Sequence, residues 1–433
     1  MAPSTVKRVR FECLGCRLNE AEVESWARGL QGAGLEVVGA GPADVVVINT
    51  CAVTAEAERQ SRALVRRLQR QVPGARLVVS GCAVSLAGQP GIALSASDLV
   101  VPNRDKERLI EQVIALLGIF SKPRPIDPAQ VLLTRGRQRA FIKVQDGCRH
   151  RCTFCLTCWI RGPERSRPLE AILAEVHALE RAGIQEIVLT GVHLGGYGRG
   201  QGIDLAHLIE RLLAETAIPR IRLGSLEPWS LPPGLWSLFA DPRLMPHLHL
   251  PLQSGSDRVL KWMGRRYRQA DYVRLVERAR AAIPDLNLTT DLIAGFPGEG
   301  EEDWQETLAL AEALRFGHIH AFGYSPRSGT PAARFPDQVD VQTRRARVQR
   351  LESIVRRSRL AVMRDQLGKR MVLLCEHPSP QSNQRIRLGY TPNYLPVALQ
   401  VPTLPAPGTL IEVRIAGIDE QADCLLAEPV LSV

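Results

Sequence analysis

Four of the chain's ten cysteines fall within eleven positions: Cys148, Cys152, Cys155 and Cys158, in the arginine-studded stretch DGCRHRCTFCLTCWIRG (146–162). A thiolate is both a nucleophile and a soft metal ligand, so this stretch can staple, catalyse or coordinate. Structural zinc sites favour four ligands in paired C-x2-C knuckles, and no histidine follows here at knuckle spacing. Cys148, Cys152 and Cys155 are instead spaced C-x3-C-x2-C. Three thiolates of that kind hold three irons of an open 4Fe-4S cluster and leave the fourth for a substrate. Cys158 as a ligand would block that position, so it is read as a bystander. A zinc site closed by Cys158 and a metal-free cysteine cluster remain the alternatives. The neighbouring arginines favour thiolates and a cluster's negative charge.

Three more cysteines stand just past β-branched runs. VRFECL (9–14), DVVVIN (44–49) and ARLVVS (75–80) lead to Cys16, Cys51 and Cys82, and a helix-like polar stretch follows each. That alternation predicts a parallel α/β sheet. Ligands of open parallel sheets bind beyond the carboxyl ends of the strands. Each cysteine alone reads as a small buried hydrophobe. Three delivered to one sheet edge predict a shared metal site.

The elements that must position the first cluster come next. SKPRPIDPAQ (121–130) reads as a linker, and alternation then resumes through AFIKVQ (140–145), EIVLT (186–190), RIRLGS (220–225), HLHL (247–250), LNLTTDLIAGF (286–296) and HIHAFGY (318–324). Six strand–helix units predict a partial (β/α)6 barrel whose chemistry sits after the strands. Loop residues at those strand ends, Glu227, Gln253 and Asp291, are candidates to contact a cofactor or target base. Gly195 and Gly196 in HLGGYG allow close backbone approach to a ligand, or tight turns. Arg161 and Arg165 are candidates for RNA phosphate or a cofactor carboxylate. The last segment is β-rich and proline-punctuated, which predicts a small antiparallel barrel. The expected division is 1–120, 121–364 and 365–433, an α/β fold throughout except for that barrel.

Charge adds a partner. Fifty-five Lys and Arg face 45 Asp and Glu, for a net +10. Residues 341–370 hold ten of the basic residues against Glu352 and Asp365, and 54–72 adds Arg59, Arg62, Arg66, Arg67 and Arg70. Solvated helix faces would look the same, but two basic helices beside a small β-barrel favour a polyanion, nucleic acid first. No apolar run reaches the ~18 residues of a membrane span and no apolar leader opens the chain, so no membrane partner is expected. The expected compartment is the reducing cytoplasm, which disfavours disulfides.

These residues resemble a known family. C-x3-C-x2-C after the first strand of a partial barrel is similar to the radical S-adenosylmethionine enzymes. LGCRLNEAEVES, VINTCAVTAEAE, VSGC, FIKVQDGCRHRCTFC, TGVHLGGYG, LHLPLQSGSD, GFPGE and YSPRSGTPAA, in that order, resemble the methylthiotransferases across essentially the whole chain. The resemblance implies Cys16, Cys51 and Cys82 as ligands of an auxiliary 4Fe-4S cluster and Cys148, Cys152 and Cys155 as ligands of the radical cluster. It implies S-adenosylmethionine as both methyl donor and radical source, an electron donor of flavodoxin or ferredoxin type, and a C-terminal TRAM domain that binds RNA. LGCRLNEAE and RAFIKVQDGCRHRCTFC look most like the branch acting on threonylcarbamoyl-adenosine (t6A) in tRNA. The other branches act on isopentenyl-adenosine or on an aspartate of a ribosomal protein. A reading of another class is a non-catalytic metal-bearing RNA-binding protein. The chain departs from the family at Cys158, where proline is common, and at Gly300, where threonine is.

Overall fold

The computed structural model describes residues 6–86, 97–119, 138–376, 386–400 and 405–430. The stretch 121–130 read as a linker lies outside them. The chain forms an N-terminal parallel sheet, a six-stranded arc with outer helices, and a closed five-stranded barrel.

The first sheet is ordered β2-β1-β3-β4-β5: β1 (Arg8–Cys13), β2 (Glu36–Val38), β3 (Val45–Thr50), β4 (Arg76–Gly81) and β5 (Leu99–Val101). All its pairs are parallel. β3 is buried at every position, the continuous apolar run of a strand covered on both faces. The three expected strands are the central ones. The two edge strands are three residues each, too short to leave a period in the sequence. Helices α1 (Arg17–Gly32) and α2 (Ala55–Gln71) follow β1 and β3. Thr54 caps α2 through its hydroxyl, which accepts from Ala57 N at 3.1 Å.

The six expected barrel strands form in order: β6 (Arg139–Lys143), β7 (Glu186–Thr190), β8 (Arg220–Leu223), β9 (His247–His249), β10 (Asn287–Ala294) and β11 (His318–Gly323). β6, β7 and β8 pair in parallel, as do β9, β10 and β11. Parallel bridges Ile221–Leu244 and Ser225–His249 join the two halves into one arc. Its core runs from Ala140 through Leu223 and Leu292 to Val355.

The N-terminal domain closes the open side of the arc. Glu24 of α1 accepts from Phe141 N on β6 at 3.1 Å, and Arg28 pairs with Glu175. At the other edge Ala55 N donates to Ser325 Oγ at 3.1 Å, and Glu58 pairs with Arg327. The basic stretch becomes one helix, Val341–Arg364, against β11. It leads into the closed barrel of β12 (Arg370–Cys375), β13 (Ile386–Tyr390), β14 (Pro396–Gln400), β15 (Leu410–Asp419) and β16 (Cys424–Pro429). Cys375 and Cys424 are buried in this barrel. No described helix is long and apolar enough to cross a membrane.

Candidate active site

Three of the six candidate ligands follow a glycine with left-handed backbone: Gly15 (φ 114°), Gly81 (φ 107°) and Gly147 (φ 73°) precede Cys16, Cys82 and Cys148. Only glycine adopts such angles cheaply. Space demands it as well, since a Cβ on Gly81 would lie 2.3 Å from Thr50 O and one on Gly147 would lie 1.9 Å from Pro163 O. Each turn throws the next side chain off the end of its strand. Sequence reading used the cysteines and passed over these glycines, which were the sharper signal.

In the N-terminal domain Cys16 caps α1, Cys51 follows β3, and Cys82 opens the short helix after β4. Cys51 and Cys82 are buried, while Cys16 opens to solvent. Asn19 ties the strand ends together by donating to Leu14 O (2.7 Å) and Thr50 O (3.1 Å), and its Oδ1 lies 3.8 Å from Cys16 Sγ. Burial pushes the Cys51 thiol up to about 11.

The radical loop carries Cys148, Cys152 and Cys155 between β6 and the short helix Thr157–Ile160. Burial pushes Cys148 up to about 12 and raises Cys152, which the Arg265 guanidinium, 3.7 Å from its sulfur, pulls back down. A coordinated cation reverses such shifts and deprotonates the thiols outright. Glu227 receives Arg265 Nη2 at 2.6 Å, and Arg265 lies over the Trp229 ring at 4.4 Å. Arg265 gave no sequence signal; it is one basic residue among several in GRRYR. Cys158 is half-buried and close enough to Cys155 for their charges to interact.

Beside Cys155, and bounded by the segment that follows Cys51, lies a cavity of about 170 Å³. Val53 and Thr54, just past Cys51, line one wall; Cys155, Gln253, Asp291 and Tyr324 line others. Gln253 holds φ at 70°, costly for a residue with a side chain. Two bonds enforce it: Gln253 N donates to Asp291 O (2.8 Å), and Ile293 N donates to Gln253 O (2.9 Å). Asp291 meets His249 Nε2 at 3.3 Å. Of the polar loop residues expected at this face, Gln253 and Asp291 meet at the cavity and Glu227 stands beside Cys152.

Three candidates land elsewhere. A Cβ at Gly195 would lie 2.4 Å from Ser230 O, and one at Gly196 would lie 2.5 Å from His193 Nδ1, so the packing of this loop already requires both glycines. Arg161, expected at phosphate or a cofactor carboxylate, is 6% exposed. Its guanidinium is spent on Glu22 (3.0 Å), Asp146 (3.0 Å) and Asn19 (2.7 Å), so it cannot meet RNA. Arg165 is exposed, on a two-residue strand paired with Asp146.

No disulfide joins cysteines among the described residues. A tetrahedral zinc at ~2.3 Å would bring its sulfurs to roughly 3.8 Å from one another. Among the described residues, the groups with three ligand atoms within 4.8 Å are His150–Glu164–His193 and His249–Asp291–His320. Neither cysteine trio is that tight. Three thiols carried at C-x3-C-x2-C spacing are the donor set an open 4Fe-4S cluster uses.

Residues 142–311 match the model of the radical SAM superfamily, and residues 8–101 that of the Uncharacterized protein family UPF0004. Threonylcarbamoyladenosine tRNA methylthiotransferase MtaB of Chlamydia pneumoniae is 37% identical, over 95% of this chain and 96% of that protein. The chain belongs to the radical SAM methylthiotransferase family. Two further relatives are MtaB of Bacillus subtilis, 34% identical over 94% of this chain and 93% of that protein, and tRNA-2-methylthio-N(6)-dimethylallyladenosine synthase of Jannaschia sp., 36% identical over 89% and 87%. The radical SAM methyltransferase TsrM of Kitasatospora setae superposes with a TM-score of 0.56 over 76% of this chain and 77% of that one, at 16% identity, a likeness of fold. A radical SAM methylthiotransferase uses a 4Fe-4S cluster and S-adenosylmethionine. The C-x3-C-x2-C stretch lies inside the superfamily match.

Proposed function

We propose that this methylthiotransferase acts on tRNA, adding a methylthio group to C2 of N6-threonylcarbamoyladenosine beside the anticodon, with two 4Fe-4S clusters. Cys148, Cys152 and Cys155 would hold the radical cluster and Cys16, Cys51 and Cys82 the auxiliary one. Bound there, the clusters and S-adenosylmethionine supply the radical that activates a C–H bond and the methylated sulfur that replaces it. An external donor of flavodoxin or ferredoxin type supplies the electron.

The observation that carries this reading is the cavity, with the residue two past Cys51 on one wall and Cys155 on another. An adenine held there would lie between Cys155 and the segment that follows Cys51. Gln253 and Asp291 orient it by hydrogen bonds, while Phe154, Ile293 and Tyr324 exclude water. The names of the MtaB relatives favour the threonylcarbamoyl substrate. So does the polar inner face of β9–β11, which carries His249, Asp291 and His320. Arg17 lies over the nearby Tyr394 ring at 5.2 Å. A threonyl carboxylate suits cations and imidazoles better than an isopentenyl chain does. RNA would approach along a groove of about 790 Å³ lined by His318, His320, Phe322, Arg356 and Arg359, with the C-terminal barrel as an RNA-binding, TRAM-like wall.

The test is anaerobically reconstituted enzyme with reductant, S-adenosylmethionine and tRNA carrying either modified adenosine. Methylthiolation of the threonylcarbamoyl form at least tenfold faster is expected. Turnover of the isopentenyl form alone would overturn the substrate, as the Jannaschia relative would then have indicated.

A further inference from the structure

We propose that Arg161 is a positioning residue for the auxiliary cluster, so that the radical domain completes the N-terminal site and the two cluster sites form one unit. The inference rests on the two-cluster reading above. Arg161 caps the short helix Thr157–Ile160 that follows the cysteine loop, six residues past Cys155. Its side chain crosses into the N-terminal domain, where Nη1 donates to Glu22 of α1 and Nη2 to Asn19 at 2.7 Å. The same Asn19 oxygen lies 3.8 Å from Cys16 Sγ. The backbone beside Arg161 reaches the second ligand: Asn103 Nδ2 donates to Ile160 O at 2.9 Å and lies 3.9 Å from Cys82 Sγ. Leu156 and Ile160 complete the contact by packing on Ala52, Cys82 and Ala83.

Among the described residues, three cations, Lys106, Lys143 and Arg161, share the two carboxylates Glu22 and Asp146 in one ion-pair network. Within that network the cations outnumber the carboxylates by one, an arrangement that a further anion at this interface would offset. Three cysteine thiolates on a cluster are such an anion. Arg161 is the cation of the three that is tied through Asn19 to Cys16.

Arg161→Gln removes the surplus charge and leaves two lysines for two carboxylates, so the fold is expected to survive; circular dichroism checks this. Two clusters give about eight irons per chain. Iron in Arg161→Gln is expected to fall by about half, to the level of a Cys16→Ala/Cys51→Ala/Cys82→Ala control. The EPR signal of the auxiliary cluster disappears with it. RNA-independent cleavage of S-adenosylmethionine to 5′-deoxyadenosine stays within twofold. Arg161→Lys, which keeps the charge but not the bridge to Asn19, should hold the iron and shift the auxiliary EPR signature. Full iron with an unchanged signature in both variants would overturn the proposal. A wild-type chain with only about four irons would overturn the two-cluster reading instead.

Discussion

At the scale of single residues, the site is a set of thiols, from exposed Cys16 to buried Cys51 and Cys82, whose protonation depends on what binds them. Cys152 is the ligand with a guanidinium at hand: Arg265 sits 3.7 Å from its sulfur and is itself anchored by Glu227. Cys152→Ala is therefore expected to remove about half the iron and all reductive cleavage of S-adenosylmethionine. Retained cleavage would place the radical chemistry elsewhere. Cys158 stands outside the C-x3-C-x2-C set, with Arg151 as its neighbouring cation, and Cys158→Ser is expected to keep both iron and activity within twofold. Gly147→Ala tests the turn that delivers Cys148. It adds a left-handed φ penalty of about 1 kcal/mol to a clash with Pro163 O. The expected result is loss of the radical cluster in a chain that still holds the auxiliary one, read by iron content and EPR.

At the scale of elements, the barrel's lower end is docked to the C-terminal barrel by an arginine cluster around one acid. Arg222 donates to Glu186 at 2.9 Å and to Pro392 O at 3.0 Å; Arg139 pairs with Glu376 at 2.7 Å and lies over the Tyr390 ring at 4.6 Å. Burial alone would raise the Glu186 carboxyl, but Arg222, Arg139 and Arg220 bring it down to about 2. Its native value lies below its unfolded one, so the unfolded chain binds the extra proton between them. The stability it contributes is complete above about pH 4.5 and is lost as pH falls toward about 2. Glu186→Gln should flatten that window in acid-unfolding curves and cost about 3–5 kcal/mol at neutral pH by leaving buried guanidiniums unpaired. An unchanged acid limb would contradict the arrangement. The strands here were legible because β-branched runs and turn residues alternate so regularly. The docking was not: Glu186 and Arg222 are 36 positions apart and each reads alone as a strand-end charge. The three-residue edge strands were illegible for a simpler reason, being too short to show a period.

At the scale of the whole molecule, an incomplete barrel gains its missing wall from another domain. α1 leans on β6 and the start of α2 meets the loop after β11, which puts the Cys51 loop opposite Cys155. The six candidate cysteines stood out because three end strands of one sheet and three share one loop. The juxtaposition of the two groups did not, since no local pattern encodes how two domains meet. Arg161 shows the cost: beside the cluster loop it reads as a phosphate contact, yet the fold buries it between domains. Gly195 and Gly196 stay ambiguous in sequence, because close approach to a ligand and close approach to Ser230 or His193 leave the same glycine. The central claim is that these sites together methylthiolate threonylcarbamoyl-adenosine in tRNA. Mass spectrometry of nucleosides from total tRNA, with and without this gene, tests it most directly. The account predicts loss of the methylthio form with accumulation of its unmethylthiolated parent, restored by the wild-type chain and not by Cys152→Ala. An unchanged methylthio-threonylcarbamoyl-adenosine level in the strain lacking the gene would contradict it.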